Sequence, residues 1–103
     1  MNLVVLCTVP DEDSAQSIAH ALVAEGLAAC VNVLPRLTSV YRWEGEVTSG
    51  EELLLIIKTR QERYAALEAR IKELHPYTVP EIIALPIQHG SKDYLDWLIQ
   101  STQ

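Results

Sequence analysis

The sequence predicts an α+β fold, a ferredoxin-like βαββαβ sandwich with a long β-hairpin and an extra C-terminal helix. Three observations carry that prediction. Short apolar, β-branched runs alternate with segments whose apolar residues recur at helical spacing. A tight-turn dipeptide, Glu44-Gly45, joins two extended arms in the middle of the chain. No linker, repeat or low-complexity stretch interrupts the 103 residues, so residues 1–103 read as a single domain. Two βαβ units joined through a hairpin give a four-stranded antiparallel sheet with two helices on one face.

Each element follows from local pattern. Residues 3–8 (LVVLCT) are too short for a helix and read as a buried strand. Asp11 is a predicted N-cap, with Glu12 and Asp13 suited to the positive end of the helix dipole. Ala15, Ile18, Ala19, Leu22 and Val23 then lie on one helical face, and Gly26 stands where a left-handed C-terminal residue is expected. Residues 28–43 are mostly extended, with a bulge or bend predicted at Pro35, which has no N–H for a ladder. Residues 46–58 return as the second arm, with a further bulge predicted at Thr48-Ser49-Gly50. The run 53–57 (LLLII) is read as buried on both faces.

Thr59-Arg60-Gln61-Glu62 fits a capping box. Tyr64, Leu67, Ile71 and Leu74 mark the helix that follows, and His75-Pro76 stops it. Residues 81–87 (EIIALPI) form a short strand that Pro86 consigns to a sheet edge. Ser91 caps a last helix with Tyr94, Leu95, Leu98 and Trp97 on its face.

The hairpin arms are too long for the body. At about 3.3 Å per residue an arm of this length spans roughly 50 Å. A globule of this size is only about 33 Å across. The tip should therefore overhang, carrying Val40, Tyr41, Trp43 and Val47 into water and exposing edge hydrogen-bonding groups. A second subunit relieves both costs, although a ribbon bent at Pro35 and Gly50 could instead fold back onto its own sheet.

Composition excludes several functions. Eight Lys and Arg against fourteen Asp and Glu leave a formal charge of −6, so neither nucleic acid nor an anionic membrane surface is expected as a partner. No apolar run approaches the roughly 18–20 residues of a membrane span. The N-terminus shows no basic leader, and the chain reads as cytoplasmic. Two cysteines, Cys7 and Cys30, are too few for a disulfide framework. Gly-rich phosphate loops, Gly-x-Ser-x-Gly, His-Glu-x-x-His and Cys-x-x-Cys are all missing, so no enzyme is indicated.

Two candidate sites remain. Cys7, at the end of the first strand, and His75, at the end of the second helix, are a borderline-soft donor pair that suits Cu(II) or another divalent cation, though two donors make only a weak site. The blander readings are a buried thiol for each cysteine and a helix-terminal cation for His75. His20 is expected to be solvated, and His89 is a turn residue or a ligand. The second set is Tyr41, Trp43, Lys58, Tyr77, Glu81 and Trp97. These aromatics with one cation and one carboxylate suit an oligomer interface or a ligand cleft between subunits, or else are separate core and surface residues.

The stretches VVLCTVPDEDSAQSIAHALVAEGLAACVNVLP, SVYRWEGEV, EELLLIIKTR, HPYTVPEIIALPI and HGSKDYLDWL together resemble the CutA family of divalent-cation tolerance proteins. Tyr-x-Trp-x-Gly, Lys-Thr, His-Pro-Tyr-x-x-Pro-Glu and Tyr-x-x-Trp are the specific motifs. Thr78 fills a slot that is often Glu or Gln. The resemblance implies a homotrimer similar to the nitrogen-regulatory PII-type proteins, a role in copper and divalent-metal tolerance, and metal ligands at Cys7 and His75. A second family histidine falls on Leu74, which cannot coordinate, so the implied metal binding is weak. The resemblance carries no enzymatic reaction. The alternative it leaves is a PII-like sensor or scaffold that binds a small ligand or a protein in its intersubunit clefts.

Overall fold

The computed structural model describes residues 1–103, with elements β1 (Asn2–Val9), α1 (Glu12–Ala24), β2 (Cys30–Trp43), β3 (Glu46–Arg60), α2 (Gln61–Leu74), β4 (Ile83–Pro86) and α3 (Lys92–Gln100). The four strands form one antiparallel sheet in the order β2-β3-β1-β4. This is the predicted ferredoxin-like arrangement, in which β3 inserts between the parallel strands of the first βαβ unit.

Strand alternation sorts the sheet into two faces. Leu3, Val5, Cys7 and Val9 of β1 and Leu53, Leu55, Ile57 and Thr59 of β3 are buried. Leu3, Val5, Cys7 and Val9 with Leu53, Leu55 and Ile57 pack against Ile18 and Leu22 of α1 and Leu67 and Ile71 of α2 to form the core. The alternate residues, Val4, Leu6, Leu54 and Ile56, are only half-buried and lie on the other face. Residues 53–57 are thus buried on one face within the chain rather than on both, because α1 and α2 cover one side alone.

The helix caps divide between expectation and surprise. Asp11 caps α1, its carboxylate accepting from the Ser14 N–H at 2.8 Å. That bond holds the Asp11 carboxyl below its ordinary pKa. Gly26 takes the left-handed conformation, φ +71°, just past the helix end. The capping box at α2 does not form: the N-cap is Arg60 and no side chain caps it. Thr59 belongs to the buried face of β3, so its hydroxyl turns inward and donates to the Leu27 carbonyl at 2.7 Å.

In the hairpin, Glu44 and Gly45 both take positive φ, as a two-residue turn between strands requires. A bulge lies where Pro35 was expected to cause one: Leu34 pairs with Leu54 and Leu37 with Glu52, so Pro35 and Arg36 together oppose Leu53. No bulge occurs at Thr48-Ser49-Gly50, where the register is unbroken. β1 pairs with β3 only as far as Leu53. Residues 46–52 of β3 and 37–43 of β2 therefore pair with each other alone and overhang the body, and the long axis reaches 45 Å.

The chain's last helix closes the lower end of the open face. Its Tyr94 lies beside Cys30, and Thr102 just beyond it is held by Arg60 through Nε to the Thr102 hydroxyl at 2.9 Å and Nη2 to its carbonyl at 2.7 Å. Arg63 Nε donates to the same carbonyl. Leu98 is fully buried, Leu95 half-buried, and Tyr94 and Trp97 are exposed. No helix is long and apolar enough to cross a membrane.

Candidate functional site

The single bulge decides which side chains reach the open face. Below it, Cys30, Asn32 and Leu34 share that face with Lys58, Ile56 and Leu54. An unbulged strand would continue with even-numbered residues. The extra residue shifts the parity, and Ser39, Tyr41 and Trp43 are opposite Gly50, Thr48 and Glu46 instead. The Tyr41 side chain reaches diagonally towards Gly50, its hydroxyl 3.9 Å from where a Cβ at that glycine would stand.

A groove of about 830 Å³ forms there, at the upper end of the open face. The hairpin supplies Tyr41, Trp43 and Glu52; the segment after α2 supplies Tyr77, Val79 and Glu81; Thr8 of β1 is at its base. Tyr77 donates its hydroxyl to Glu52 Oε2 at 2.8 Å. Partial burial, that bond and the negative charges of Glu52 and Asp11 push the Tyr77 phenol up to about 12. No lysine, arginine or histidine lines the groove.

His75 anchors the Tyr77 side. As the residue before Pro76 it is extended, and its N–H closes α2 on the Ile71 carbonyl. Its ring does not cap the helix C-terminus but turns into the protein. Nε2 is 2.7 Å from the Thr8 carbonyl, and Nδ1 accepts the Tyr77 N–H at 3.1 Å. The carbonyl can only accept and the amide can only donate, so the ring carries its proton on Nε2. The ring is also 4.8 Å from that of Tyr77.

Cys7 neighbours Thr8 but points to the opposite face, into the core, where its side chain is wholly buried. Burial first, then the charges of Glu81 and Glu52, raise its thiol to about 12. The thiolate that metal ligation needs is therefore strongly disfavoured. In this conformation the Cys7–His75 pair does not fit a metal: the thiol is buried and protonated, and both ring nitrogens are engaged. No three His, Cys, Asp or Glu side chains cluster at ligand spacing anywhere in the chain.

The other predicted set divides in two within one chain. Tyr41, Trp43, Tyr77 and Glu81 meet in the groove. Lys58 is near the lower end of the sheet, opposite Val4 and Cys30, with its ammonium hydrogen-bonded to Asn32 Oδ1. Trp97 is on α3, its ring 5.4 Å from that of Tyr94. Glu52 was missed by sequence reasoning. The signal was available, since Glu52 has the same parity as Lys58 along β3 and so belongs to the same face. His20 is exposed on α1, and His89 is exposed beyond β4.

Comparison with known proteins matches residues 3–101 to a family described as CutA1 divalent ion tolerance protein. The chain is 59% identical over 102 residues to the divalent-cation tolerance protein CutA of Thermus thermophilus, covering 99% of each. It is 50% identical to the chloroplastic protein CutA of Arabidopsis thaliana, spanning 99% of this chain and 56% of that one. Among solved structures, the divalent cation tolerance protein of Thermus thermophilus superposes with a TM-score of 0.98 at 58% identity, with both chains covered completely. The periplasmic divalent cation tolerance protein CutA of Archaeoglobus fulgidus gives 0.97 at 38% identity, again covering both chains.

Proposed function

The chain belongs to the CutA1 divalent ion tolerance family, and from that premise we propose that it serves divalent-cation tolerance as a homotrimer rather than as an enzyme. Its relatives bear the name of tolerance proteins, which favours this reading over a PII-like sensor.

The observation that carries the assembly is the open face of the sheet. Leu34, Ile83 and Leu85 are exposed there beside half-buried Val4, Leu6, Leu54 and Ile56, and the overhanging hairpin continues the same surface. A contiguous apolar face of this kind is a protein contact site. Its two edges differ, a short β4 on one side and a long ribbon on the other, which favours a head-to-tail contact that closes into a ring. The groove residues Tyr41, Trp43, Tyr77 and Glu81 and the lower set Lys58 and Trp97 are then brought towards the boundary between chains.

Direct metal contact enters this proposal as weak. Cu(II) or another divalent cation would reach Cys7 and His75 only after the Thr8 and Tyr77 hydrogen bonds open. The location proposed is the cytoplasm, where Cys7 and Cys30, both free, stay reduced. The names of relatives place some in the chloroplast or periplasm.

Sedimentation velocity at micromolar concentration tests the assembly. Three chains per particle are expected, and a monodisperse monomer overturns it. Isothermal titration with Cu(II) at physiological salt, comparing wild type with His75→Ala and Cys7→Ser, tests the metal. Weaker binding in either variant is expected, and unchanged affinity in both removes the pair from the proposal.

A further inference from the structure

We draw no further inference here: the strongest candidate, the apolar groove between α1 and the edge strand β2 lined by Ala19, His20, Val23, Val31 and Val33, borders a sheet edge that the proposed ring gives to a neighbouring copy, and nothing in the structure shows what covers it.

Discussion

The two faces of the sheet are made from the same kinds of residue and have opposite fates. On the helix-covered face, Val5, Cys7, Val9, Leu55 and Ile57 are inaccessible to water. On the open face, their immediate neighbours Val4, Leu6, Leu54 and Ile56 stay half-exposed, and Ile83 and Leu85 of β4 are half-accessible at 52% and 50%. Hydrophobicity alone cannot tell these faces apart. The difference is supplied by where α1 and α2 are attached. One face is packed into the core of the chain, and the other stays uncovered within it.

Substitution on opposite sides of one strand breaks this comparison most sharply. Leu55→Ala leaves a cavity in the core and should destabilise by about 2–5 kcal/mol. Ile56→Lys, one residue along, should leave the core intact but put a charge into the proposed contact surface. Its expected signature is dissociation by sedimentation, with loss of thermal stability that depends on protein concentration. Equal unfolding of both variants at every concentration would erase the distinction between the faces.

His75 ties the two sides together. Its ring bridges the Thr8 carbonyl, at the edge of the groove, to the Tyr77 N–H. His75→Ala leaves an acceptor and a donor without that partner and should cost about 2–3 kcal/mol. Chemical denaturation measures the cost. A loss below about 0.5 kcal/mol would mean that water or a side chain replaces the ring.

Cys7 and Tyr77 sharpen the comparison through pH. Both are acids whose folded pKa is raised, from 9.0 and 10.0 respectively to about 12. The folded state therefore holds these protons where the unfolded chain has released them. Stability is fully present below about pH 9 and falls as pH rises from about 9 to 12, first through Cys7 and then through Tyr77. Cys7→Ala should flatten the lower part of that decline. Iodoacetamide at neutral pH should leave Cys7 unmodified in the native protein and modify it on unfolding, since its side chain is wholly buried. Rapid native labelling of Cys7 would contradict the packing of the covered face.

Much of this was legible in the sequence because it depends on local pattern. Asp11, Gly26, Glu44-Gly45 and Pro35 each fix a backbone feature through their own chemistry, and the strand and helix periods give the topology. The rest depends on which face a side chain takes in three dimensions. Thr59 looks like an N-cap from its spacing to Glu62, but its parity on β3 sends its hydroxyl into the core. His75 looks like a helix-terminal cation, yet its ring finds partners in β1 and at Tyr77. The groove set was half legible: the hairpin and the His-Pro-Tyr segment converge, while Lys58 and Trp97 are at the other end of the sheet. Glu52 was hidden in an acidic pair before an apolar run, and the bulge at Pro35-Arg36 decides which hairpin residues join it.

The smallest effect is expected where α3 docks on the open face. Thr102 donates its hydroxyl to the Leu98 carbonyl at 2.9 Å and accepts from Arg60 Nε at the same distance. Its own carbonyl separately accepts from Arg60 Nη2 and Arg63 Nε. Thr102→Val keeps the shape and the backbone contacts and removes only the hydroxyl. Because Thr102 is wholly buried, Arg60 Nε loses one partner without gaining water, although the neighbouring carbonyl at 3.2 Å still receives it. The expected loss is about 1 kcal/mol, confined to the end of the chain. Hydrogen exchange should quicken in α3 and stay unchanged in α1 and α2. If exchange quickens throughout the sheet instead, the docked helix is part of the cooperative core, and the open face is less independent of the covered one than its exposure indicates.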